Sequence, residues 1–134
     1  MKVDGACFCG QITYEAELDT DRILICNCTD CQTLSGSAFR TVAFTKEDAF
    51  TLLTGELKVY VKVADSGNPR QQSFCGNCGS PIYATSDPAG PFYGLRVGSI
   101  KQRDQLVPRV HIYNRSKQHW LDQIPSLPAI EQMP

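Results

Sequence analysis

A chain of 134 residues, 42% hydrophobic and 20% charged, is sized and composed for one domain around a single core. Its formal net charge of −1 gives no general attraction to nucleic acid or to a membrane surface. The start, Met1-Lys2-Val3-Asp4-Gly5, lacks an apolar run of signal-peptide length, and no stretch approaches a membrane span, so the expected compartment is the cytosol, where thiols stay reduced.

In chain order, short segments rich in β-branched and aromatic residues alternate with turn signals. Strands are expected over Gln11–Ala16, over Arg22–Ile25 and over Phe39–Phe44. Leu34-Ser35-Gly36-Ser37, just after Cys31, reads as a loop beside a metal site or as a turn leading into the third of these. Thr45–Phe50 is the best helical stretch, with Thr45 as N-cap and acids in the first turn. Further strands are expected at Leu57–Val61, Arg70–Phe74, Ser80–Ala84, Tyr93–Val97 and Arg109–Tyr113. Turns separate them at Thr54–Glu56, Asp65–Pro69 and Asp87–Pro91, and a short helical turn is expected near Trp120–Asp122. The tail from Ile124 to Pro134 carries three prolines and little pattern, which suits a segment that wraps the surface or frays. There is no repeat, linker or low-complexity tract. The expected class is mainly β in a single domain, residues 1–134, of packed antiparallel sheets with few helical turns.

Cysteine carries the functional signal. Seven is an odd number, so disulfides cannot pair them all. They fall into Cys7-x-Cys9, Cys26-x-Cys28-x-x-Cys31 and Cys75-x-x-Cys78. In a reducing compartment such spacings read as metal ligands. Cys7, Cys9, Cys75 and Cys78 make a complete tetrahedral set, with Gly76 and Gly79 placed for the turn of the second knuckle. Cys26, Cys28 and Cys31 then remain, and three protein ligands beside one exchangeable position is the pattern of a catalytic zinc. Three thiolates make that metal a weak Lewis acid, better suited to holding a thiol than to generating hydroxide. Spacing also allows a mixed partition, such as Cys26 and Cys28 with Cys75 and Cys78. It also allows a carboxylate, or His111 or His119, the only histidines, to close the triad and make it structural.

Other residues carry weaker signals. His111, between Val110 and Ile112, reads first as a packing residue. Arg40 follows the triad closely and reads as a solvated strand residue or as a group facing the metal. Lys101 to His119 holds five Lys or Arg against one acid, Asp104, and reads as a solvated face. No phosphate loop, dinucleotide fingerprint or nucleophile elbow is present.

The three clusters in this order resemble the glutathione-dependent formaldehyde-activating enzyme family, which shares a fold with Mss4-like proteins (the β-tent) and includes centromere protein V. The residues that carry the resemblance are Gly5–Gly10, Cys26–Cys31, Ser35-Gly36-Ser37, Phe74–Ser80 and Pro108–Ile112, with Val97–Ile100 and Trp120 in order. The resemblance implies a β-rich fold with two zincs per chain. It implies that Cys7, Cys9, Cys75 and Cys78 hold a structural zinc and that Cys26, Cys28 and Cys31 hold a second one facing a glutathione site. Ser35, Gly36, Arg40 and His111 are the candidates for the surroundings of glutathione. The implied activity is a carbon–sulfur lyase reaction, glutathione plus formaldehyde or another small aldehyde giving an S-hydroxymethyl adduct. The alternative is a zinc-stabilised binding module or glutathione carrier. The expected partners are a small thiol and an aldehyde, with no nucleic acid and no membrane. Asn27 stands where many members have His, and Gln32 where many have Arg; both flank the second zinc in sequence.

Overall fold

The computed structural model describes residues 1–133. Pro134, the end of the expected surface tail, lies outside them. Eight strands carry the chain: β1 (Lys2–Ala6), β2 (Thr13–Cys26), β3 (Arg40–Thr54), β4 (Leu57–Val63), β5 (Pro69–Cys75), β6 (Pro81–Ser86), β7 (Gly94–Arg96) and β8 (Val110–Ile112). Among the described residues one α-helix, α1 (Thr29–Ser35), follows β2, and short 3-10 turns fill the C-terminal third, including one at His119–Ser126 over the expected turn at Trp120. The hydrogen-bonded order is β1-β2-β3-β7-β6-β5-β4, antiparallel throughout. β8 lies off this path and pairs with the end of β2 in parallel, Leu24 beside Val110 and Cys26 beside Ile112. The mainly β, single-domain expectation holds.

β2 shows how the sequence specifies the sheet. Tyr14, Ala16 and Leu18 alternate inward and join Ile12, Ile23, Ile82, Leu95 and Ile100 in one core. β2 and β3 are too long to run straight, and their pairing slips between Ala16 and Leu18 and again between Leu18 and Ile23. Such irregularities bend a ladder.

The expected helix at Thr45–Phe50 is instead part of β3. Thr45 is fully buried, and its hydroxyl accepts from the Tyr93 N–H (3.1 Å) rather than capping a turn. The Thr45 N–H donates to Tyr93 O and the Asp48 N–H to Pro91 O. Phe50 stacks among Tyr14, Tyr83 and Tyr93. A helix of six residues has little stability of its own, so aromatic packing and neighbouring backbone groups override the capping signal.

Candidate metal centres

The first cluster sits where two strands end. After β1 the chain turns through Cys7–Gly10, with the Gly10 N–H on Cys7 O (3.2 Å) and Gly10 at φ +82°. After β5 the Gly79 N–H returns to Cys75 O (2.8 Å), with Gly79 at φ +79°. Both glycines take the left-handed backbone that closes a knuckle; Gly76 does not, and packs against Lys58. The Sγ atoms of Cys7, Cys9, Cys75 and Cys78 all lie within 4.8 Å of one another. Cys7 and Cys9 are 3.5 Å apart, and Cys9 and Cys75 3.8 Å. A tetrahedral ion at metal–sulfur distances of about 2.3 Å spaces its sulfurs by about 3.8 Å, so the set fits such an ion. The Ile12 N–H donates to Cys7 Sγ (3.2 Å), and Cys78 is held down to about 5 by the Ser80 hydroxyl, helped by backbone N–H groups of Ser80 and Cys9.

The second cluster spans the β2–α1 junction. Cys26 ends β2, and Cys28 is the N-cap of α1, its Sγ accepting from the Cys31 N–H (3.2 Å). One helical turn thus sets Cys31 beside Cys28. The three Sγ atoms lie within 4.8 Å of one another, and among the described residues no histidine or carboxylate joins them. This excludes the mixed partition. His111 is exposed on β8, its Nδ1 3.4 Å from Asn27 Nδ2, and His119 is exposed too. Cys26 is held below its ordinary value by a hydrogen bond from Cys31, and Cys31 is pushed up by the same bond and by burial.

The helix α1 replaces the expected loop at Leu34–Ser37 up to Ser35; Gly36 closes it in the left-handed conformation at φ +65°. Cysteine is not a usual N-cap, so the local sequence gave little sign of it.

The triad opens onto a cavity of about 260 Å³. Leu24, Val42 and Phe44 supply apolar wall, and Arg40, Arg70 and Arg96 supply charge. Arg40 is 6% exposed, not a solvated strand residue. Arg96 is pushed down to about 9 by burial, with Arg40 adding repulsion. Gln72 Oε1 accepts from both Arg40 Nη1 (3.3 Å) and Arg96 Nη2 (2.7 Å). Arg70, Gln72 and Arg96 escaped notice in sequence because they sit on strands remote from the triad; the alternation of Arg70 and Gln72 on β5 was the one local sign.

Ser35, Gly36 and His111 are not among the residues lining this cavity. The Ser35 hydroxyl donates to Phe39 O (3.4 Å) and bridges the end of α1 to β3. Asn27 and Gln32 do not line it either; they tie the triad segment to the C-terminal third. Asn27 Nδ2 donates to Ile112 O (3.2 Å), and Gln32 Nε2 to Ser116 O (3.0 Å) and Asn27 O (2.9 Å).

The sequence matches the family model of the glutathione-dependent formaldehyde-activating enzyme over residues 2–116. The chain belongs to this family. Its fold is also similar to the crystal structure of a Rhodobacter sphaeroides protein, with a TM-score of 0.61 at 20% identity over 81% of this chain and 98% of that one. At that identity the likeness concerns the fold alone. No curated protein sequence matches the chain. No helix among the described residues is long and apolar enough to cross a membrane. The membership joins this architecture to thiol and aldehyde chemistry, and both cysteine clusters are able to hold a metal.

Proposed function

We infer that the protein is a zinc-dependent carbon–sulfur lyase-type enzyme that adds a glutathione-like thiol to formaldehyde or another small aldehyde. The carrying observation is the three-sulfur cluster, with no fourth protein ligand among the described residues, opening on a cavity. Thiolate sulfur in a tetrahedral spacing selects zinc among the common divalent ions. Cys7, Cys9, Cys75 and Cys78 hold the structural ion, and Cys26, Cys28 and Cys31 hold the second. Zinc held by the triad supplies, when bound, a position at which a substrate thiol stays ionised at neutral pH.

The chain's own residues do the rest. Leu24, Val42 and Phe44 thin the water around the reacting sulfur. Arg40 and Arg96 keep the site positive, which favours an anionic sulfur and the oxyanion that forms when the thiol adds to a carbonyl. In that addition the S–C bond forms, the carbonyl π pair moves to oxygen, and the thiol proton ends on that oxygen. Reduced thiols at both clusters suit a cytoplasmic protein.

Exchange spectroscopy by NMR tests this reading. The zinc-loaded protein should speed interconversion of glutathione, formaldehyde and S-hydroxymethylglutathione, and Cys28→Ser should abolish the effect. Binding of glutathione with no gain in exchange rate would leave a carrier, not an enzyme.

A further inference from the structure

Arg40 is buried and Arg96 half-buried, yet neither has a carboxylate partner among the described residues. Arg40 makes one hydrogen bond and Arg96 two, a small share of the donors a guanidinium carries. The Arg96 Nε is buried with no partner at all. Arg70, half-buried on β5, reaches only the Ser86 hydroxyl (3.2 Å). Three cations thus converge on one small cavity from β3, β5 and β7. Buried charge without a counter-ion is costly and is retained where something pairs with it.

The surroundings do not supply that pair. Lys62 and Asp30 at the rim neutralise each other at 2.7 Å, and Asp65 is exposed. Three thiolates and a divalent ion leave one net negative charge, against the guanidiniums of Arg40, Arg70 and Arg96. Gln72 meanwhile offers a neutral oxygen between Arg40 and Arg96, where an anionic oxygen would bind far better.

We propose that Arg40, Arg70 and Arg96 form a carboxylate subsite beside the cysteine triad, so that the thiol this protein takes is a compact one bearing its own carboxylate. This rests on the reading of the triad as a thiol-binding metal site. The thiol sulfur goes to the triad metal while a carboxylate of the same molecule meets the guanidiniums, which then act as specificity residues. A cavity of about 260 Å³ lies at or below the lower end for drug-sized ligands, which disfavours large nucleotide-bearing thiols.

The test uses the full chain loaded with cobalt(II), whose thiolate charge-transfer band reports a new sulfur on the metal. Glutathione and 2-mercaptoethanol are titrated separately. The sulfur-free glutathione analogue, with an ethyl group for the cysteine side chain, is titrated by calorimetry. Glutathione should bind at least about tenfold more tightly than 2-mercaptoethanol, and the sulfur-free analogue should bind detectably. Arg70→Gln should weaken both peptides about tenfold and leave 2-mercaptoethanol unchanged. Arg70→Lys should recover part of that loss, which separates charge from folding.

Equal affinity for the two thiols, or equal losses for both in the variants, would overturn the subsite; the arginines would then only offset the charge of the metal thiolates. If neither thiol perturbs cobalt, the thiol-site reading fails. The sulfur-free analogue still decides the subsite in that event, since its binding and loss in Arg70→Gln require no metal.

Discussion

Tyr14 shows how closely single residues are fitted in this core. It has no exposed surface, its hydroxyl shares a hydrogen bond with Ser99 Oγ (2.7 Å), and its ring meets Phe50 at 5.3 Å between centroids. Opposite lies Gly5, where a Cβ would overlap the Tyr14 ring and meet Ser99 O at 2.5 Å. Gly5, two residues before the first cysteine, therefore serves the core as well as the knuckle. Burial raises the Tyr14 hydroxyl from 10.0 to about 12. The sign follows directly. Below pH 10 both folded and unfolded chains keep the proton and the buried phenol costs nothing extra. As pH rises toward 12 the unfolded chain ionises first, so stability falls by about 2.7 kcal/mol across that window. Tyr14→Phe has no proton to lose there but gives up a hydrogen bond of about 1 kcal/mol. Urea denaturation should find the variant less stable at pH 8 and the more stable of the two above about pH 11. A gap that stays constant with pH would refute this assignment.

At the scale of elements, legibility followed the range of the interactions. The Cys7, Cys26 and Cys75 clusters were legible because each knuckle is built within a few residues. Most strands were legible from alternation. β1 was not, because Lys2–Ala6 contains Asp4 and Gly5, weak strand formers that pair only because Thr13–Glu17 lies alongside. The Thr45–Phe50 helix failed for the converse reason, a good local signal outweighed by Tyr93 and Pro91 brought from forty residues away. The helix α1 is seven residues long and has no buried residue, so its caps matter. Cys28 caps one end, and the Gly36 N–H reaches back to Gln32 O and Thr33 O at the other. A Cβ at Gly36 would meet nothing within 4 Å, which isolates the backbone contribution. Gly36→Ala should therefore cost roughly 1–2 kcal/mol of helix stability through its left-handed φ alone. A chromophoric chelator should then strip the triad's metal faster while release from the four-cysteine site keeps its rate. Unchanged release from both sites would show that α1 does not set the triad's geometry.

For the whole molecule, the decisive fact is where the four-cysteine cluster lies in the strand order. β1 is one edge of the sheet, and β5 lies next to the other, with β2, β3, β7 and β6 between them. Yet Cys7 and Cys9, after β1, meet Cys75 and Cys78 at the end of β5. The sheet must curl for these ends to touch, and the bends in β2 and β3 are consistent with that curl. A metal held there would clamp the closure, and its binding energy would count as folding energy. The triad clamps little, because its three ligands lie within six residues. Structural zinc binding of about 10–16 kcal/mol rivals the ~5–15 kcal/mol stability of a whole domain. Cys75→Ser should thus lower the thermal midpoint by tens of degrees or leave the chain unfolded. Cys28→Ser should melt within a few degrees of the parent and carry one metal ion fewer. Circular dichroism melts with metal analysis on the same samples distinguish the two sites, and equal damage from both substitutions would make the triad a second structural clamp.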